Sequence, residues 1–298
     1  MLDNLSTGHK SAVPQESAFI QGDIQDENLL DHIFSEYPIA NVIHLAASCY
    51  VRESVVNPLK YYQNNVAATI SLLNKMLHYK VNKLVFSSTC AVYGIPNAEK
   101  IDETIGPAPV NPYGQSKLMT EQIIKDLSKA AGLEFMILRY FNVAGADPDG
   151  TNGEQHDPEP HLIPNILLHF LGRKDKITVY GDDYETIDGT CIRDYLHVSD
   201  LVSAHILALQ SLKTGRHINN CYNVGSGNGY SIKQVIEMCE SITGQKADII
   251  YMGRRKGDPP KLVSSTEKIR HELGWEPHYS LKDIIATAWN WHSFSFNN

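Results

Sequence analysis

The chain has 298 residues, 42% hydrophobic and 20% charged, with 34 acidic against 26 basic side chains and a formal net charge of −8. That balance excludes nucleic acid or an anionic membrane surface as the main partner, since either needs clustered Lys and Arg. No apolar run reaches the length of a membrane span and no signal peptide opens the chain, so a cytoplasmic protein is expected. Five dispersed cysteines (Cys49, Cys90, Cys191, Cys221, Cys239) form no CxxC pair and suggest buried thiols in a reducing compartment.

"MLDNLSTG" opens the chain as the end of a strand would: an apolar pair, the acid Asp3, then a polar turn. Short β-branched runs predict buried parallel strands at "NVIHLAA" (41–47), "KLVFSST" (83–89) and "FMILRYFNV" (135–143). In "NPLKYYQNNVAATISLLNKMLHYK", Leu59, Tyr62, Val66, Ile70, Leu73 and Leu77 fall on one helical face. "NPYGQSKLMTEQIIKDLSKAAG" predicts a second helix, with Pro112 in its first turn and Gly132 just past its end. Alternating strands and helices imply an α/β fold with a doubly wound parallel sheet.

After Asn142 the texture changes. "AGADPDGTNGEQHDPEPHLIP" is rich in Gly, Pro and Asp and predicts a long loop of functional type. Shorter units follow: "CIRDYLHVSD" before one helix, "CYNVGSGNGYS" before another, and "STEKIRHELGW" before a last one. The expected division is a dinucleotide-binding domain over 1–144 and a smaller mixed α/β substrate lobe over 145–298, with some crossing back near 176–225.

Chemistry concentrates in "NPYGQSK". Tyr113 and Lys117 stand four apart near a helix start and so share a face. An ammonium beside a phenol favours the phenolate, which makes tyrosine a usable base near neutral pH. Spacing alone settles nothing, because Tyr79 and Lys83 repeat it across a helix end. Context separates the pairs: upstream of Tyr113, a strand ends in Ser87, Ser88 and Thr89, hydroxyls placed where α/β folds bind ligands. The set suits removal of a proton from a substrate alcohol, and the hydride must then go to a nicotinamide, since no side chain accepts one.

"DNLSTG", "GDI" (22–24), "HLAA" (44–47), "SSTCAVYG", "NPYGQSK", "LRYFNVAGA", "GTCIRDYLHVSDL" and "GRRKGDP" together resemble the extended short-chain dehydrogenase/reductase family, and within it the nucleotide-sugar epimerases. The resemblance covers nearly the whole chain with motifs in family order. It implies a Rossmann-type sheet, bound NAD, and interconversion of UDP-galactose and UDP-glucose through a 4-keto sugar. It also implies roles residue by residue. Asp3 and Asn4 would hold the adenosine ribose, and Asp23 and Ile24 would flank the adenine. Leu45, Ala46, Ala47, Asn65, Ser87 and Tyr140 would line the cofactor. Lys117 would reach the nicotinamide ribose, with Tyr113 as base and Thr89 on the sugar. Asn142, Arg193 and Arg255 would anchor the diphosphate; Asp258 would face the ribose, Tyr180 the uracil, and His161 the substrate. Relatives dimerise through helices at 58–79 and 112–131, so a homodimer is implied.

Two departures matter. The family's GxxGxxG turn would precede Asp3 by about 20 residues, and the sequence does not contain it; a truncated form is expected, with an inactive UDP-sugar binder as one alternative. Leu262 stands where several relatives carry a bulky tyrosine, which implies room for an N-acetyl group and so a UDP-N-acetylglucosamine 4-epimerase as another. Sugar-nucleotide dehydratases place an Asp-Glu pair after the strand-end threonine, where this chain has Cys90 and Ala91. "GSGNG" (225–229) is expected to be a structural turn, since Asp248 begins its strand instead of ending it. His156, Asp157, Glu159 and His161 crowd a Pro-rich loop, and the "HEL" that begins at His271 is not completed to HExxH; a solvated loop and no metal are expected.

Overall fold

A computed structural model describes residues 1–255 and 257–295. Two compact units emerge: 1–94, 107–138 and 208–221 form the first, and 95–106, 139–207 and 222–298 the second. The division expected at 144 thus meets a finer partition. Residues 95–106 and 139–144 go to the second unit, and 208–221 return to the first.

The first unit opens with β1 (Leu2–Asp3), parallel to β2 (Ile20–Gln21). Helix α1 (Glu27–Glu36) follows, capped by the Asp26 carboxylate, which accepts from the Asn28 and Leu29 amides. Strand β3 (Val42–His44) leads to α2 (Val51–Val56) and α3 (Pro58–Tyr61). Residues 62–67 then wind as a π-helix before α4 (Ala68–His78). The single apolar face expected here is corrected by that segment. The wider winding rotates the chain: Val66 and Leu73 of that face are buried as expected, Tyr61, Leu72 and Met76 join them, and Leu59 is 75% and Ile70 41% exposed. Strand β4 (Lys83–Thr89) and helix α5 (Pro112–Ala131) come next. The Asn111 side chain accepts from the Gly114 amide at 2.8 Å to start α5, and Gly132 in the left-handed region ends it, as the sequence implies. Gly114 is close-packed: a Cβ there would lie 2.5 Å from the Ala91 carbonyl oxygen.

Strand β5 (Glu134–Tyr140) stops short of the expected 143, because Asn142–Ala144 forms a separate β6. The run at 41–47 shortens likewise to β3. Then come α6 (Leu162–Phe170), β7 (Ile177–Tyr180), β8 (Ile192–His197), α7 (Val198–Thr214), β9 (Asn220–Val224), β10 (Gly229–Ser231), α8 (Ile232–Thr243), β11 (Ile249–Met252), β12 (Lys261–Leu262), α9 (Glu267–Leu273) and α10 (Leu281–Ser295). One four-stranded sheet has the order β3-β4-β5-β9, with β3 and β4 parallel. Its core joins Leu72, Leu73 and Met76 of α4 to Leu84 and Phe86 of β4, Ile124 of α5 and Ile137 of β5.

The second unit centres on β8, which pairs with β10 antiparallel and with β6 and β12 in parallel. Strands β7 and β11 form a parallel pair. Helices α6, α8 and α10 pack together through Ile163, Ile166, Val235, Ile236, Ile284 and Ile285. "GSGNG" is a turn between β9 and β10, and its partner is internal. The Asp194 carboxylate accepts from the Ser226 amide and hydroxyl, the Gly227 amide, and the Ser264 amide and hydroxyl, at 2.5–3.1 Å. Donors that could cradle a phosphate therefore hold a side chain.

The cysteine expectation holds for Cys191 and Cys239, which are buried; Cys49, beyond β3, is exposed, and Cys90 and Cys221 are half-buried. No helix of the described residues is long and apolar enough to cross a membrane.

Candidate active site

In the first unit the carboxyl end of β4 meets the first turns of α5. Tyr113 and Lys117 are both buried on α5, 8% and 4% exposed. The Lys117 ammonium donates to the Ser87 carbonyl at 2.8 Å and lies 4.9 Å from the Phe86 ring centre. Tyr61 meets the Tyr113 ring edge-on, with centres 6.4 Å apart. Burial pushes the Lys117 ammonium down to about 8, with the negative charge of Glu121 among the forces opposing the shift. Burial, reinforced by the Lys117 charge, pushes His44 down to about 3, so this imidazole is neutral; its Nε2 lies 2.8 Å from the Thr69 hydroxyl.

Glu121 was not singled out in the sequence. Its carboxylate is fully buried and accepts from the Ser88 hydroxyl at 2.6 Å, with the Lys125 ammonium at 3.5 Å. The signal was available: 113, 117 and 121 repeat every four residues along one face. Thr89 caps the short turn after β4, its hydroxyl accepting from the Ala91 amide at 3.1 Å. Asn65 is buried, and its amide accepts from the Ser48 amide while donating to the Ser48 carbonyl and the Ser116 hydroxyl. It fixes the loop after β3, in which Leu45 and Ala46 are exposed and Ala47 half-buried.

At the carboxyl end of β1, Asp3 accepts from the Leu5 amide at 2.7 Å. Asn4 donates to the Asp23 carboxylate at 2.8 Å, which also receives the Gln25 amide at 2.9 Å. Asp3, Asn4 and Asp23 are thus brought together, with half-buried Ile24 beside them.

In the second unit the Arg255 guanidinium lies 3.7 Å above the Tyr180 ring, and its buried Nε has no hydrogen-bond partner among the described residues. Arg193 donates Nη1 to the Ile192 and Pro259 carbonyls, with Nη2 4.0 Å from Asp258. Leu262 is buried on β12 and pairs with Arg193 in register. Asn142 opens β6 opposite Tyr195. Tyr140 falls in this unit too, 6.5 Å from the His205 ring.

His161 is engaged elsewhere. It precedes α6 and meets the carboxylates of Glu154 and Glu159, which also face His156. These pairs, working against burial, raise His161 to about 10 and hold Glu159 at about 2. The expected solvated loop holds for Gln155, Asp157, Pro158 and Pro160, which are exposed, but not for the group inside it. Its acids and imidazoles converge, Glu154 in place of Asp157, and the Glu159 side chain is only 3% exposed.

Strand-end hydroxyls, a buried lysine one turn beyond a buried tyrosine, and acids at the tips of β1 and β2 coincide with a family model for NAD dependent epimerases and dehydratases, matched over residues 1–225. The chain belongs to the NAD dependent epimerase/dehydratase family. A family member from Halalkalibacterium halodurans, a UDP-glucose 4-epimerase, is 48% identical over 293 residues, covering 98% of this chain and 87% of its own. The crystal structure of UDP-glucose 4-epimerase from Brucella ovis in complex with NAD superposes with a TM-score of 0.93 at 46% identity, covering 97% of this chain and 88% of that one. The enzyme from Bifidobacterium longum, solved with NAD+ and UDP, gives a TM-score of 0.93 at 36% identity over 99% of this chain and 91% of that one.

The burial of Lys117 has a measurable signature. Its folded pKa lies below the unfolded value of 10.5, so between pH 8 and 10.5 the unfolded chain binds the extra proton. This group's contribution to stability therefore rises with pH through that window. Urea unfolding of wild type and Lys117→Met should show wild type gaining stability relative to the variant from pH 7.5 to pH 10; a constant gap would refute the depressed ammonium.

Proposed function

We propose that this chain is an NAD-dependent nucleotide-sugar 4-epimerase that interconverts UDP-galactose and UDP-glucose. The observation that carries the reading is the buried Tyr113–Lys117 pair on one face of α5, its ammonium fixed on the strand-end carbonyl of Ser87.

The residues suit a dinucleotide. Asp3 offers a carboxylate to ribose hydroxyls, Leu45 and Ala46 an exposed apolar edge to the cofactor, and Lys117 a cation to the second ribose. Bound NAD supplies a hydride acceptor that returns the same hydride. Tyr113 Oη takes the proton of the sugar 4-hydroxyl, which leaves a 4-keto sugar once the hydride has gone, and gives the proton back when the hydride returns to the other face. Lys117 favours the phenolate by its charge, and Thr89 directs its hydroxyl to the sugar. Glu121 positions by holding Ser88 and countering the lysine charge. In the second unit, Arg255 with its unpartnered Nε takes the diphosphate. Tyr180, Arg193, Asn142 and Asp258 complete the nucleotide set.

Tyr113→Phe removes the proton acceptor and leaves the fold intact. Its UDP-galactose turnover should fall by about 10²–10⁴, while nicotinamide absorbance of the purified protein is unchanged; turnover at the wild-type rate would end the reading.

Leu262, in register with Arg193 and smaller than the tyrosine that the family resemblance puts at this place, would extend the substrate range to N-acetylated hexoses. In Leu262→Tyr the ratio of kcat/KM for UDP-N-acetylglucosamine to that for UDP-glucose should drop roughly tenfold. An unchanged ratio counts against it.

The molecule is a homodimer through α3, α4 and α5 and the helix before them. Val55, Val56, Leu59, Ile70 and Met119 leave apolar side chains 39–86% exposed, an uncovered face that a second copy would bury by symmetry. Sedimentation equilibrium should give twice the chain mass for wild type and a shift toward monomer for Leu59→Glu; a monomeric wild type excludes the dimer.

A further inference from the structure

The long loop before α6 offers chemistry that the proposed reaction does not use. Glu154, His156, Glu159 and His161 each bring one ligand atom into a cluster whose four atoms lie within 4.8 Å of one another. His156 Nδ1 lies 3.2 Å from Glu154 Oε1 and 3.6 Å from Glu159 Oε2. His161 Nδ1 lies 3.2 Å from Glu159 Oε1 and also contacts Glu154 Oε1. Ligands at about 2.0–2.1 Å from a tetrahedral zinc ion stand about 3.3–3.4 Å apart; three of the separations, at 3.2–3.6 Å, lie near that edge within a cluster that spans up to 4.8 Å.

The frame behind the ligands is hydrogen-bonded to two helices. The Trp291 indole on α10 donates to the Glu154 carbonyl at 3.0 Å, and Asn165 on α6 donates to the carbonyls of Glu159 and His161. The His161 amide donates to Glu159 Oε1 at 2.8 Å. Gly153 lies flat on Trp291, where a Cβ would fall 2.4 Å from the indole. The loop is thus held from two helices with its ligand atoms converged before any ion arrives.

We propose that Glu154, His156, Glu159 and His161 form a structural binding site for one zinc-class divalent cation. Two carboxylates balance the ion's charge, and two imidazoles select transition metals over the oxygen-seeking Mg²⁺ and Ca²⁺. Four protein ligands close the coordination sphere, so the ion ties the loop to α6 and α10 and activates no water.

The test uses the full chain, stripped with a chelator and titrated with Co²⁺ and then Zn²⁺. Wild type should bind one equivalent of Co²⁺ with the intense visible absorption of a tetrahedral site, and one equivalent of Zn²⁺ should bleach it. Zn²⁺ should also raise the thermal midpoint. His156→Ala/His161→Ala should lose the spectrum, the stoichiometric uptake and the midpoint shift. Should that variant not fold, Glu154→Gln serves instead, with a weakened and altered Co²⁺ spectrum expected. Wild type without a tetrahedral Co²⁺ spectrum, or uptake unaltered by the substitutions, would overturn the proposal and leave an ion-pair cage only.

Discussion

The contact between the Lys117 ammonium and the Ser87 carbonyl governs the first unit. A buried cation is costly unless it is held, and here a strand-end carbonyl, the face of Phe86 and the negative charge of Glu121 hold it. That requirement fixes how α5 sits on β4, and the helix in turn sets Tyr113 one turn earlier on the same face. Burial keeps His44 neutral, and the same charge reinforces it. Stability is given up at this point to keep a cation inside the unit, one turn beyond the buried Tyr113.

The second unit handles charge in another way. Asp194 is buried with five donors converging on it, and burial raises its carboxyl above the usual range despite them. The glycine-rich turn that serves it would have suited an external anion, but its amides are already committed. Arg255 is the contrasting case, a guanidinium stacked on Tyr180 with a buried donor still open. The two neighbourhoods contrast donors already committed to the fold with one that is still open.

Much of this was legible in the sequence because it rests on local chemistry. Caps at Asn111 and Gly132 delimit α5, and four-residue spacing places Tyr113 and Lys117 together. What the sequence hid depends on partners far along the chain. Asp194 gains meaning only from Ser226 and Ser264, and residues 95–106 join the second unit although strand and helix of the first flank them. Glu154 was missed because Asp157 sat closer to the histidines in sequence; the fold turns one inward and not the other. The strand expected over 135–143 breaks because Phe141 donates its amide to Val224, after which Asn142–Ala144 joins β8.

The π-helical stretch at 62–67 carries one more implication. It places Asn65 inward, where its amide clasps the Ser48 backbone beside the strand-end loop. Shortening this stretch by a single residue would let α3 and α4 merge into one ordinary helix, a gain in regularity, while swinging that asparagine off its anchor. The length of this segment, more than the identity of its exposed side chains, is thus what keeps Asn65 within reach of Ser48.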